Sequence, residues 1–163
     1  MAEPVAARPC MPGYGLLPSD EGRGLLPWSW AEARLVAARN YWVTTNAADG
    51  TPHTMPVWGV WLDDAFFFST GRQTRKARNL AERPDCVICP ERADEAVVLE
   101  GRAEEVTATA TLGRVADAYR AKYPMGFPSE EPVFRVDASV VFGLVEAPGE
   151  FAGSATRWRF TPP

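Results

Sequence analysis

The run "STGRQTRKARNL", residues 69 to 80, places four cations, Arg72, Arg75, Lys76 and Arg78, within seven positions. Cations gathered at the start of a helix suit one task above others, which is gripping an anion. Thr74 is a good N-cap for a helix opening at Arg75, and first-turn N–H groups carry partial positive charge. Arg75, Lys76 and Arg78 therefore stand where the helix dipole favours acids, by a few tenths to about 1 kcal/mol each. A phosphate reverses that sign, because helix N–H groups, the Thr74 hydroxyl and the cationic side chains can share one dianion. The same residues also fit a solvated basic helix face. The preceding strand, "AFFFST", together with Trp58 and Trp61, offers apolar wall for a cofactor ring, or simply core.

Other reactive side chains are few. Cys86 and Cys89 form a C-x-x-C, but in a strand residues three apart point to opposite faces, and no second pair or histidine cluster completes a metal site. With Cys10 they are read as structural thiols, and no metal is expected. His53 is the only histidine, so a hydrolytic triad has one candidate base and that class starts weak. His53 is read as structural or, alternatively, as a proton donor or a heme ligand.

These residues need a scaffold, and the composition bounds it. The chain has 163 residues, 46% of them hydrophobic, with a net charge of -4 and a pI near 5.1. One core fits that length, and an acidic chain is a poor partner for nucleic acid. No run approaches a membrane span and "MAEPVAARPC" lacks the regions of a signal peptide, so a cytoplasmic protein is expected.

Residues 1–27, punctuated by five prolines, predict an extended arm ahead of one domain over 28–163. "WSWAEARLVAARN" predicts a helix capped by Ser29 with Glu32 in a capping box, ending near Asn40. "YWVTTN", "PHTMPVWGVWL" and "AFFFST" predict a meander with turns at "ADGT" and at Asp63 and Asp64. In its middle strand Met55, Val57, Gly59 and Trp61 share one face. A helix over 74–82 follows, then strands near 86–90 and at "AVVLEGRAEEV". Leu112, Val115, Ala116 and Tyr119 mark the apolar stripe of a further helix. After the loop "PMGFPSEEP" come strands "VFRV" and "SVVFGLVE", and last "TRWRF". Strands dominate and helices are peripheral, which predicts a mainly β fold, a barrel with added helices.

The run "DGTPHTMPVWGVWLDDAFFFSTGRQTRKARNLAERPDCVI" resembles the pyridoxamine 5'-phosphate oxidase-like split-barrel family, over roughly residues 28 to 160. Within it, "PHTMPVW", "TRKARNL" and "ATRWRF" look most like the flavin/deazaflavin oxidoreductase branch. The resemblance implies a six-stranded split β-barrel, a homodimer, and a cofactor lying in a groove between subunits. It implies phosphate ligands at Ser69, Thr70, Thr74, Arg75 and Lys76, with Arg72 and Asn79 as further carry-overs. It also implies that main chain around Met55, Pro56, Val57 and Trp58 runs along the cofactor ring, and that Arg157 and Trp158 approach the cofactor, across the dimer in one version. Vitamin B6 oxidases carry an arginine and a lysine where this chain has "TMPVWG", and a different C-terminal motif where it has "TRWRF", so oxidation of pyridoxine phosphate is not implied. The pattern favours coenzyme F-420 over FMN, and a reductase passing hydride to an unsaturated small molecule. The alternatives are an FMN-dependent oxidoreductase of the same fold and a non-catalytic carrier of flavin, deazaflavin or heme.

Overall fold

The computed structural model describes residues 3–126 and 130–161. Its strands are β1 (Val5–Ala7), β2 (Tyr41–Asn46), β3 (Pro52–Val57), β4 (Val60–Leu62), β5 (Ala65–Ser69), β6 (Asp85–Pro90), β7 (Glu95–Glu105), β8 (Val133–Val145) and β9 (Thr156–Arg159). The helices are α1 (Trp28–Ala37), α2 (Arg75–Glu82), α3 (Thr109–Lys122) and the single turn α4 (Phe151–Ser154).

Every strand pairing is antiparallel. The order is β1-β9-β8-β7-β6-β2-β3, with the β4–β5 hairpin joined to β8 through β5. The long β8 makes this a split barrel. Its first residues, Val133–Val136, pair with β5, whereas Val140–Gly143 pair with β9, and its other edge stays on β7 throughout. The change of partner falls beside a bulge after Glu100, which adds bend and twist to the ladder. Gly101 permits the close approach there, since a Cβ would lie 2.4 Å from the Asp137 carbonyl oxygen.

Alternation places Tyr41, Val43, Ile88, Leu99, Val141 and Trp158 inside the barrel with Phe66 and Phe68. A second cluster, Val60, Phe67, Val115, Tyr119, Tyr123 and Val133, lies between the β4–β5 wall and α3. Both faces of β5 are thus buried, as its unbroken "AFFF" requires. The α3 stripe is realised with Val115 and Tyr119 buried and Leu112 packed alongside. Asp63 and Asp64 both have positive φ, 49° and 60°, which suits the tight β4–β5 turn.

Four sequence expectations are corrected. Pro27 occupies the N-cap of α1 and no side chain caps it, so the Ser29–Glu32 box does not form; Glu32 Oε1 instead accepts from Trp61 Nε1 at 3.3 Å. The helix also stops at Ala37, because the backbone N–H groups of Arg39 and Asn40 turn to the Glu91 carboxylate. "PHTMPVWGVWL" is not one strand but two, broken at Trp58 and Gly59, where a Cβ on Gly59 would sit 2.2 Å from the Phe66 ring. "VFRV" and "SVVFGLVE" are one strand, because β7 runs alongside both, pairing with Asp137, Ala138 and Val140 and leaving only Ser139 bulged out.

The N-terminal segment is pinned along its course to the C-terminal one. Val5–Ala7 pair with Arg157–Arg159, Arg8 Nη1 donates to the Ala155 carbonyl at 2.7 Å, Leu17 N–H to Ala152 O at 2.9 Å and Leu26 N–H to Thr156 Oγ1 at 2.8 Å. Residues 1, 2, 127–129, 162 and 163, which include the ends of the expected arm and domain and the middle of "PMGFPSEEP", lie outside the described residues.

Candidate functional site

Thr74 has the extended conformation of an N-cap, and its Oγ1 accepts from the Ala77 N–H at 3.2 Å. The N–H groups of Arg75 and Lys76, the first two helical residues, have no intrahelical acceptor. Thr70 Oγ1 lies 3.2 Å from Thr74 Oγ1 and ties the end of β5 to this turn.

Of the four cations, Lys76 differs in kind. The α2 helix buries Lys76, Ala77, Asn79 and Leu80 on its inward face, leaving Lys76 7% exposed. Its ammonium has no hydrogen bond and no counter-ion among the described residues, and burial alone holds its pKa below the usual lysine value. Arg75 and Arg78 are exposed. The Arg72 guanidinium donates to both oxygens of Glu105, at 2.8 and 3.3 Å, and the Arg72 backbone N–H donates to Glu131 Oε2 at 2.7 Å. Asn79 turns inward, Nδ2 donating to Thr45 Oγ1 at 3.0 Å.

The edge strand β3 lies near the same helix. It pairs only with β2, so every second main-chain N–H and C=O along it has no strand partner. Met55 faces the side of its cross-strand neighbour Val43, which is fully buried, yet Met55 is 46% exposed. The barrel is therefore open beside β3, with His53, Met55 and Val57 on the open side, while Thr54 and Pro56 face outward.

Trp58 ends this stretch, stacked on Tyr123 with centroids 4.6 Å apart and planes at 7°. Its carbonyl accepts from Tyr119 Oη at 2.6 Å, and the Gly59 carbonyl from Lys122 Nζ at 3.0 Å. Lys122 also donates to Tyr41 Oη at 2.8 Å, and burial pushes its pKa down to about 8. A pocket of about 350 Å³ opens between Trp58, Ser69, Thr70, Gly71, Tyr119 and Met125. Ser69 Oγ donates to the Pro132 carbonyl at 3.0 Å at its rim.

The structure therefore gathers Trp58, Ser69 and Thr70 around one pocket, and links Thr70 to Thr74 at the start of α2. It sets Arg157 and Trp158 apart: β9 and β3 are separated along the sheet by β8, β7, β6 and β2. The Trp158 ring is core, 1% exposed and edge-on to Trp28, with its Nε1 unpartnered. Arg157 sits on the outer face of the sheet opposite Phe142, and its buried Nε has no partner. That face also carries Trp42, 47% exposed, and partly exposed Val87, Cys89, Val98 and Val140. Cys86 points the other way into the core, where burial raises its thiol pKa to about 12. No group of His, Cys, Asp and Glu among the described residues could hold a metal ion, and no helix among them is long and apolar enough to cross a membrane.

Sequence reasoning missed Tyr119, Lys122 and Tyr123 as the residues that hold Trp58, and Thr45 as the partner of Asn79. The first group left a trace, since Tyr119 and Tyr123 are one helical turn apart. Thr45 left none, because a threonine within a strand needs no further explanation.

No curated protein matches the chain in sequence. Solved structures that resemble it include an F-420 reductase, 18% identical with a TM-score of 0.55, covering 68% of this chain and 94% of that one. An FAD-binding protein from Mesorhizobium loti is 16% identical with a TM-score of 0.61 over 83% and 96% of the two chains. A heme binding protein from Mycobacterium smegmatis is 22% identical with a TM-score of 0.61 over 79% and 62%. At these identities the likeness is one of fold. The family profile described as pyridoxamine 5'-phosphate oxidase matches residues 31–142, from within α1 to near the end of β8. Since that span holds most of the barrel and all of α2, the chain belongs to the pyridoxamine 5'-phosphate oxidase family.

Proposed function

We propose that this protein binds a phosphorylated flavin-type cofactor, coenzyme F-420 in preference to FMN, and acts as a reductase that passes hydride to an unsaturated small molecule. Lys76 carries the reading. A partly desolvated ammonium without a counter-ion among the described residues is costly, and a phosphate at the start of α2 would supply the missing charge. The N–H groups of Arg75 and Lys76, the Thr70 and Thr74 hydroxyls and the Arg75 guanidinium stand ready to share it. Ser69 completes this set at the pocket rim.

Such a cofactor, when bound, supplies the hydride chemistry itself. The chain's part is binding, orientation and exclusion of water. The unpaired main-chain groups in the stretch of Met55, Pro56 and Val57 on the free edge of β3 would meet a ring's polar rim, with Trp58 as apolar wall beyond them. The "TMPVWG" segment brings no further cation, which favours F-420 and argues against pyridoxine phosphate oxidation. FMN in the same seat is the second reading, supported by the same buried lysine.

We take the working form to be a homodimer. The half-exposed apolar face bearing Trp42, Val87, Val98 and Phe142 suits a second copy of the chain, and Arg157 on that face is the group a partner would bring toward the cofactor.

Titration of the protein with F-420 and with FMN, followed by fluorescence, tests the reading. Replacing Arg75 and Lys76 together by alanine is expected to weaken binding by about 100-fold or more, because two charged hydrogen bonds are lost. An unchanged dissociation constant removes these residues from the site.

A further inference from the structure

The seat proposed above has two parts on two different elements, the first turn of α2 for the phosphate and the edge strand β3 for the ring. The backbone ladder already joins β2 to β3, with Thr45 directly opposite His53, whereas α2 is a separate element packed against β2. One side-chain bond ties α2 to that ladder. Asn79, 6% exposed, donates from Nδ2 to Thr45 Oγ1 at 3.0 Å. Thr45, fully buried, donates from the same hydroxyl to the His53 carbonyl of β3 at 3.4 Å.

A hydroxyl has one proton and two lone pairs, so this arrangement uses it in both directions. Asn79 stands three residues after Lys76 on the buried face of α2, and His53 two residues before Met55 on β3. A purely apolar contact would hold the helix against the sheet yet let it slide; a hydrogen bond fixes distance and direction.

We infer that Asn79 and Thr45 are positioning residues that set the separation between the anion-binding turn of α2 and edge strand β3. This rests on the proposed phosphate seat, and it reassigns Asn79 from touching the cofactor to acting through Lys76. The phosphate-bearing form of a cofactor is then selected only while phosphate and ring can be engaged together.

The test compares ligands that differ only beyond the ring system: FMN with riboflavin, and F-420 with the same deazaflavin cut back to its ribitol. Wild type is expected to prefer the phosphorylated member of at least one pair by about 100-fold. Thr45→Val keeps the shape and removes both bonds, and it is expected to lower that preference about tenfold while the phosphate-free member moves less than about threefold. Thr45→Ser restores the preference. Thr45→Val combined with Lys76→Gln shows no smaller preference than Lys76→Gln alone, since both act on one contact. Should Thr45→Val fail to fold, Asn79→Ser is read by the same ratio.

An unchanged preference in Thr45→Val, or equal weakening of both members of a pair, overturns the inference while leaving the phosphate seat standing. A wild type without preference in either pair overturns both.

Discussion

In the proposed seat, Lys76 is the residue at which stability and binding pull in opposite directions. Its side chain is largely buried and its ammonium has no partner among the described residues, so the cofactor-free protein bears a desolvation cost that a neutral side chain of similar length would avoid. Lys76→Met is expected to raise the stability of the cofactor-free protein, by up to about 1 kcal/mol, and to weaken cofactor binding at the same time. Thermal unfolding with and without cofactor reads both effects; a variant less stable than wild type without cofactor would contradict the orphan-charge account. The sequence made the cation cluster visible but not its division of labour. Four basic residues in seven positions look alike until the fold turns Arg72 to Glu105, leaves Arg75 and Arg78 in solvent and encloses Lys76. That sorting depends on Glu105, far along the chain, and on the sheet beneath α2. Local spacing carries neither.

Among the elements, the end of α3 has the most influence on the site without belonging to it. Lys122, Tyr119 and Tyr123 hold the carbonyls of Trp58 and Gly59 and the N–H of Gly59, fixing the break between β3 and β4. Burial lowers the Lys122 pKa to about 8, against 10.5 for a free lysine. Between those values the unfolded chain carries a proton that the folded chain has shed, so the contribution of Lys122 to stability rises with pH across that window. Wild type is therefore expected to gain on Lys122→Met as pH is raised from about 8 toward 10.5, measured as the difference in denaturant midpoint. A gap that narrows or stays constant would remove the buried-charge explanation. Helix α2 was legible here, from Thr74 as its cap to Glu82 as its end. The β3–β4 break was not. Both faces of "PHTMPVWGVWL" are apolar, and the need for a gap at Gly59 arises from the Phe66 ring lying under it. The Ser29 cap failed for a similar reason, since the preceding proline had already taken the capping position.

For the whole molecule, the barrel and its helices were readable from strand content, turn residues and one amphipathic stripe. The joining of β8 into a single strand was not, because it follows from the reach of β7 and not from residues 137–139 themselves. Assembly is the property to measure at this scale. The outer sheet face carries Trp42 at 47% exposure among other apolar residues, and a charge placed there should prevent a second copy from docking. Trp42→Glu is expected to convert the proposed dimer into a monomer in analytical ultracentrifugation and to lower cofactor affinity with it. A wild type that sediments as a monomer at micromolar concentration would refute the dimeric arrangement.

The ladder between Val5–Ala7 and Arg157–Arg159 unites two stretches that lie far apart in the sequence. During synthesis Val5–Ala7 must wait for Arg157–Arg159 to emerge, so this ladder closes only after the barrel strands between them have been made. A bulky fusion set directly against Val5 would hinder that pairing, and one set directly against Phe160 would crowd the same ladder from its other strand.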